Sequence, residues 1–349
     1  MVGLAVPTAA AQSAGSASPD GSTGASDNPN FIDTFAESFL DPTKMPDGVN
    51  DWNCELQDDR DTVVLIHGTW EKAYDNWAAV APALAADGHC VYATNHGKGD
   101  ILNKGGVGTL LPNAFGTEDI AASGAEIATF VDRVLAATGA EQVDLVGHSQ
   151  GGLLARQYLK FNGGAAKTDH VVTLGATNHG TTMSGIGNLD RFIGQLGLNL
   201  DPILDHVVGE AGIQQVYGSP LLKRLNADGD TVPGVDYTAV ATKYDEVTTP
   251  YHSTFLEAEE GSTVNNVTVQ DGCAADNSDH ISMSYSPRVI DIVRDALVPG
   301  SAPDGEKACT PNSPIMGAGT VEPTEFLTGP FGWLSENMHP LPENAVPGS

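Results

Sequence analysis

Short apolar runs alternate with amphipathic stretches along most of this chain. Thr62-Val63-Val64-Leu65-Ile66 is a continuous β-branched run, the pattern of a strand buried on both faces. Trp77 to Ala86 reads as an amphipathic helix closed by Gly88, and Cys90-Val91-Tyr92-Ala93-Thr94 as the next strand. A polar, Gly-rich loop runs from Asn95 to Phe115. Between Glu118 and Ala137, residues Ile120, Ile127, Phe130, Val131 and Val134 recur at helical spacing. Val143-Asp144-Leu145-Val146, Val171-Val172-Thr173-Leu174, Asp236 to Ala241 and Val264 to Val269 read as further strands. Pro287 to Leu297 reads as a helix with proline in its first turn. Such alternation predicts an α/β fold, a mostly parallel six-stranded sheet with helices on both faces. Right-handed crossovers then gather every strand's C-terminal end on one edge, outside which ligands bind.

Residues 183–229 interrupt this rhythm. They carry Ile186, Leu189, Phe192, Ile193, Leu196, Leu198, Leu200, Ile203, Leu204, Val207 and Val208 with few charges, and are too long for a simple loop. They read as two or three short helices over the ligand-binding edge, either a helical cap lining an apolar pocket or ordinary core helices. The ends differ in composition. Residues 1–30 read as the remnant of a signal peptide followed by a Ser/Gly-rich leader with the composition of a disordered segment. Residues 31–310 form the candidate catalytic domain, and 311–349 a Pro-rich tail in which Phe326, Phe331, Trp333 and Leu334 suggest local packing.

The stretch Gly147-His148-Ser149-Gln150-Gly151 lies between a strand and the helical pattern that starts at Gly152. Strand, G-x-S-x-G turn and helix together are the context of a nucleophile elbow, which lifts the Ser149 hydroxyl clear of the sheet. Gly147 and Gly151 flank a turn too tight for side chains. A serine nucleophile needs a general base, and that base an orienting carboxylate. On sheets with this elbow the parts follow in the order serine, acid, histidine. Asp245 is the first acid past strand 236–241; Glu246 is the alternative. His280 lies before the last helix, whereas His252 follows the acid too closely and His339 sits in the tail. Asp279 reads as a solvated neighbour. The oxyanion hole takes one N–H from Gln150 and one from the loop His67-Gly68-Thr69-Trp70, assigned to Thr69, whose hydroxyl is a candidate third donor. His67 reads as a brace for that loop, and the His148 and Gln150 side chains as shaping the elbow surface.

The 349 residues carry 45 acidic and 16 basic side chains, a formal net charge of −29. That balance argues against nucleic acid and anionic membrane surfaces as partners. No stretch reaches the roughly 18 apolar residues of a membrane span. The four cysteines fall into two local pairs, Cys54 with Cys90 and Cys273 with Cys309, with no C-x-x-C spacing. Two disulfides are expected, each closing a loop of roughly 36 residues worth about 3–4 kcal/mol. No metal site is expected, and no EF-hand spacing occurs.

These residues resemble the secreted actinobacterial lipases, of the class 2 lipase type, in the α/β-hydrolase superfamily. The matching pieces are Asn50-Asp51-Trp52-Asn53-Cys54, Val63 to Thr69, Gly147 to Gly152, Thr242 to Pro250, and Asp271-Gly272-Cys273 leading to Asp279-His280. The Asp245-Glu246-Val247-x-x-Pro250 stretch is also similar to one in fungal lipase B. The resemblance spans residues 40 to 310 and departs from the family at both ends. It implies hydrolysis of triacylglycerol or another carboxylic ester, secretion, paired disulfides and no required cofactor. Ser149, His280 and Asp245 would then act as nucleophile, base and acid, on a lipid or other ester met transiently at a lipid–water interface. A cutinase-like polyester hydrolase shares the same chemistry, and a catalytically silent α/β-hydrolase that only binds is the rival of a different class.

Overall fold

The computed structural model describes residues 29–57, 60–99, 114–188 and 209–317. Most of the leader, residues 189–208 of the expected cap and the tail beyond residue 317 lie outside the described residues.

Six parallel strands form one sheet in the order β2-β1-β3-β4-β5-β6. They are β1 (Thr62–Ile66), β2 (Cys90–Ala93), β3 (Val143–His148), β4 (Thr168–Leu174), β5 (Asp236–Ala241) and β6 (Thr263–Thr268). All five residues of β1 are fully buried, as its apolar run requires. Alternate side chains serve opposite faces. Val64 and Ile66 pack with Ile127, Leu145, Leu153 and Tyr158 on one side, and Val63 and Leu65 with Trp77, Leu84, Val146 and Val293 on the other.

The helices divide between these two cores. α2 (Ala73–Trp77), α3 (Val80–Ala86) and, near the C-terminus, α8 (Pro287–Leu297) contribute to the second face, with α1 (Phe31–Leu40) packed on α2; α4 (Ile120–Thr138), α5 (Gln150–Phe161), α6 (Gly209–Gln214) and α7 (Pro220–Leu225) contribute to the first. The single helix expected over 77–86 is two, α2 and α3. Pro82 has no N–H to give to a preceding turn, so it fits only the first turn of a new helix starting at Val80. α4 starts on Asp119, whose side chain accepts the Ala122 N–H at 2.9 Å, and ends on Gly139 in the left-handed region.

α1 is not part of the sequence reading. Asn30 caps it by accepting the Asp33 N–H, and Phe31, Phe35 and Ser38 face inward. Phe31 meets the Tyr285 ring edge-on at 6.1 Å. The described part of the expected cap is mixed in character. Leu221, Leu222 and Leu225 of α7 belong to the sheet core, whereas Ile213 and Tyr217 are about half exposed. Residues 311–317 stay on the body, with Ile315 fully buried. Cys54–Cys90 and Cys273–Cys309 are both bonded, with Cα separations of 5.8 and 5.4 Å. No described helix is long and apolar enough to cross a membrane.

Candidate active site

Ser149 sits between the last residue of β3 and the first of α5, at φ 54° and ψ −123°. A non-glycine residue there is strained, and the surrounding bonds enforce it. The Ser149 N–H donates to the Leu174 carbonyl at 2.8 Å. A Cβ on Gly151 would stand 2.0 Å from the Ile66 carbonyl oxygen, and one on Gly147 2.5 Å from Gly151. The G-x-S-x-G spacing is therefore a steric requirement of two strands and a helix meeting at one point.

Asp245 and His280 come together as the sequence order implied. His280 Nδ1 lies 3.0 Å from Asp245 Oδ2, with both side chains buried. The carboxylate is fixed in turn, because its Oδ1 accepts the N–H groups of Val247 at 3.0 Å and Thr248 at 2.6 Å. A parallel bridge between Tyr244 and Asp279 holds the loop after β5 beside the loop after β6. His280 Nε2 is buried with no protein partner among the described residues. The ring thus has one nitrogen committed to a carboxylate and the other uncommitted.

Glu246 takes a different place. Its Oε2 lies 3.4 Å from the His280 backbone N–H, on the main chain rather than on the ring. Desolvation, with the charges of Asp279 and Asp245, pushes its carboxyl well above the usual range. Asp279 is a correction: it is fully buried, not solvated. Its carboxylate accepts the Ser282 N–H and hydroxyl, both at 2.8 Å, and the Ile315 N–H at 2.9 Å. Ser282 lies three residues on, whereas Ile315 comes from the chain past Cys309 and is remote from the residues around His280. His252 lies in a short 3-10 turn against Tyr251, and His339 is outside the described residues.

The loop after β1 faces Ser149 from the other side; a Cβ on Gly68 would come within 3.1 Å of the Ser149 Cβ. The Gly68 N–H is bound to Glu71 Oε2 and the Trp70 N–H to the Phe115 carbonyl. Between them, the Thr69 N–H has no acceptor among the described residues, nor has the Gln150 N–H at the open start of α5. The Thr69 hydroxyl oxygen accepts two side-chain amides, Gln150 Nε2 at 3.0 Å and Gln215 Nε2 at 2.9 Å. Both amides are oriented independently, since Gln150 Nε2 also donates to the Gly116 carbonyl and Gln215 Nε2 to that of Ala211. A hydroxyl has two lone pairs and one hydrogen. With both lone pairs engaged, the Thr69 hydrogen is left as a donor.

His67 braces this loop as expected. Its Nδ1–H donates to the Gly68 carbonyl at 2.8 Å, its Nε2 accepts the His96 N–H, and the two rings stack at 4.0 Å. Burial holds His67 well below the ordinary imidazole value and His96 at about 4, so both stay neutral. His148 departs from its expected place: it is fully buried under the elbow and shapes no surface. Sequence reasoning passed over Glu71 and Gln215. Neither belongs to a local motif, and Gln215 reaches Thr69 only because α6 folds back over the sheet edge.

Among the described residues the one cluster able to hold a metal is Asp144, Asp169 and His170. Asp144 and His170 lie near the N-terminal ends of β3 and β4, at the edge of the sheet opposite Ser149. The hydrogen bond that His170 donates to Asp144 raises the His170 pKa to about 9, which keeps the ring protonated rather than free to ligate.

The chain is similar to known proteins in sequence and in fold. A triacylglycerol lipase of Pseudarthrobacter phenanthrenivorans is 35% identical over 99 residues, covering 27% of this chain and 26% of that protein. One of Burkholderia plantarii is also 35% identical over 99 residues, covering 27% of this chain and 24% of that protein. The match thus spans about a quarter of the length of each relative. The crystal structure of Aspergillus fumigatus lipase B overlays 75% of this chain and 57% of its own with a TM-score of 0.55 at 19% identity, which identifies the fold as that of the α/β-hydrolases. Residues 60–285, more than half of the sequence, match the family Lipase (class 2), and the chain belongs to it.

Proposed function

We propose that the protein is a serine carboxylic ester hydrolase, a triacylglycerol lipase working through Ser149, His280 and Asp245. The observation that carries this reading is the 3.0 Å contact of His280 Nδ1 with Asp245, which leaves Nε2 as the ring's reacting nitrogen at the edge that carries Ser149. Ser149 Oγ attacks the ester carbonyl carbon while Nε2 takes its proton. The carbonyl oxygen becomes an oxyanion and receives three donors: the Thr69 N–H, the Thr69 hydroxyl and the Gln150 N–H. Each is worth on the order of 3 kcal/mol in the transition state. As the bond to the alkoxy oxygen breaks, His280 returns the proton to the leaving alcohol. Water then attacks the acyl-enzyme, gives its proton to Nε2, and Ser149 Oγ leaves with that proton. Asp245 stabilises the imidazolium of each step and stays ionised.

Membership of the lipase family and the two relatives named as triacylglycerol lipases support a lipid ester as substrate. Met183, Ile213 and Tyr217, each more than half exposed, lie where a bridge between Thr181 and Val216 joins the two segments flanking residues 189–208. Exposed apolar side chains at this place suit transient contact with a lipid–water interface. Two disulfides and the leader composition support secretion.

The test is turnover of emulsified tributyrin and triolein beside p-nitrophenyl esters and a polyester film. Hydrolysis of the triglycerides, lost in Ser149→Ala, is the expected result. Cleavage of the polyester with no triglyceride turnover would shift the assignment to a polyester hydrolase, and no hydrolysis of any ester would refute it.

A further inference from the structure

A second carboxylate–imidazole pair lies directly beneath the proposed triad, and the mechanism above makes no use of it. Glu71 is 2% exposed and His148 fully buried. Glu71 Oε2 lies 3.1 Å from His148 Nδ1 and accepts the Gly68 N–H at the same distance. On the far side of the ring, His148 Nε2 lies 2.8 Å from the backbone carbonyl of His280. The His148 and His280 ring centroids are 4.9 Å apart. Both nitrogens of His148 therefore face oxygen acceptors, which calls for a proton on each. Asn76 Nδ2 also lies 2.8 Å from Nδ1, while Asn76 Oδ1 has no partner. Turning that amide over would bring its oxygen to the same N–H and complete the arrangement.

We propose that Glu71 and His148 act as a positioning pair that fixes the oxyanion loop and the general base relative to one another. One end of the pair holds Gly68, the residue before Thr69. The other holds the main chain of His280. A Cβ on Gly68 would stand 2.3 Å from Glu71 Oε2, so the carboxylate fills the space that only glycine leaves open. The pair thereby joins the loop after β1 to the loop after β6. Burial lowers the basicity of His148, but the charges of Glu71 and Asp245 and the hydrogen bonds to Glu71 and His280 outweigh it, and its pKa is raised. Each partner lost alone would leave the other buried and uncompensated.

The inference rests on Ser149, His280 and Asp245 forming the triad. Its test is steady-state kinetics of Glu71→Gln, His148→Asn and the double variant on a soluble p-nitrophenyl ester, with folding checked by thermal melting. Misplacing donor and base by a fraction of an ångström should lower kcat about 10- to 100-fold with KM little changed. The double variant should be no slower than the slower single one, because the two act as a unit. A folded Glu71→Gln with the parent kcat, or single effects that multiply in the double variant, would overturn the proposal. If the variants do not fold, isotope-edited NMR of histidine-labelled parent protein decides it. Protons on both His148 nitrogens near neutral pH support the pair, and a single proton refutes it. Loss of fluorophosphonate labelling at Ser149 in the parent would instead mark failure of the triad itself.

Discussion

The Thr69 hydroxyl oxygen accepts the side-chain amide of Gln215 at 2.9 Å, across 146 residues of sequence. Gln215 is itself held on every side. Its Oε1 accepts the Thr177 hydroxyl at 2.9 Å, and its backbone carbonyl accepts the Thr181 N–H at 2.9 Å. The segment that crosses the sheet edge therefore reaches the proposed oxyanion hole and sets the direction of the Thr69 hydroxyl proton. Thr69→Val keeps the backbone N–H and removes the hydroxyl; kcat on a p-nitrophenyl ester should fall about a hundredfold or more. Gln215→Leu leaves the hydroxyl free to rotate and should cost roughly tenfold, while Thr69→Ser should stay near the parent. A Thr69→Val enzyme within twofold of the parent would remove the hydroxyl from the account.

Asp245 and Glu246 are neighbours with separate assignments, and substitution distinguishes them. Asp245→Asn should lower kcat by about three to four orders of magnitude, since asparagine orients the ring in the wrong tautomer. Glu246→Gln should change it by less than about tenfold, because Glu246 meets only the main chain of His280 and burial already favours its neutral form. The opposite ranking would make Glu246 the acid.

The difference between these two residues illustrates what a linear reading can reach. Ser149 was legible because its elbow is local: five residues, a strand before and a helix after. Asp245 and His280 were legible because chain order and position after a strand limit the candidates to a few. Asp279 was misjudged because its partners Ser282 and Ile315 fix it only after folding. The helix from Phe31 to Leu40 carries an Asn30 cap and an inward face of Phe31 and Phe35, yet its following contacts with Tyr285 and Asp75 lie far along the chain. Gln215 and Glu71 belong to the same class, polar residues whose meaning depends on what the sheet brings near them.

At the opposite edge of the sheet, His170 and Asp144 form a pH-dependent contribution to stability. Their side chains meet at 3.0 Å, and the hydrogen bond raises His170 from 6.5 to about 9. Burial pushes Asp144 upward despite this partner, so the ion pair also weakens on the acid side. The stabilisation from His170 is whole below its unfolded value of 6.5 and is lost as pH rises through about 9. His170→Gln should lower stability by on the order of 1 kcal/mol at about pH 7, the partly exposed ring being screened, and by much less at about pH 10. Equal destabilisation at both values, by denaturant titration, would contradict this.

Each disulfide spans a sequence separation of 36 residues, but of the two only Cys273–Cys309 precedes chain that packs beside His280. Cys309 leads into Asn312 and Ile315, whose nitrogens donate to Ser278 and Asp279 beside His280. Replacing Cys273 and Cys309 by serine should cost about 3–4 kcal/mol and lower kcat in the remaining folded protein. Replacing Cys54 and Cys90 should cost a similar stability with kcat retained. Equal effects of the two replacements on kcat would show that the segment after Cys309 does not support the base.

The most direct test of the account is labelling with a fluorophosphonate probe followed by peptide mapping, in the parent and in Ser149→Ala. One probe per chain on Ser149, accompanied by loss of ester hydrolysis, with neither labelling nor turnover in a Ser149→Ala protein that melts like the parent, is the expected result. Labelling at another residue, or hydrolysis that survives in Ser149→Ala, would contradict it.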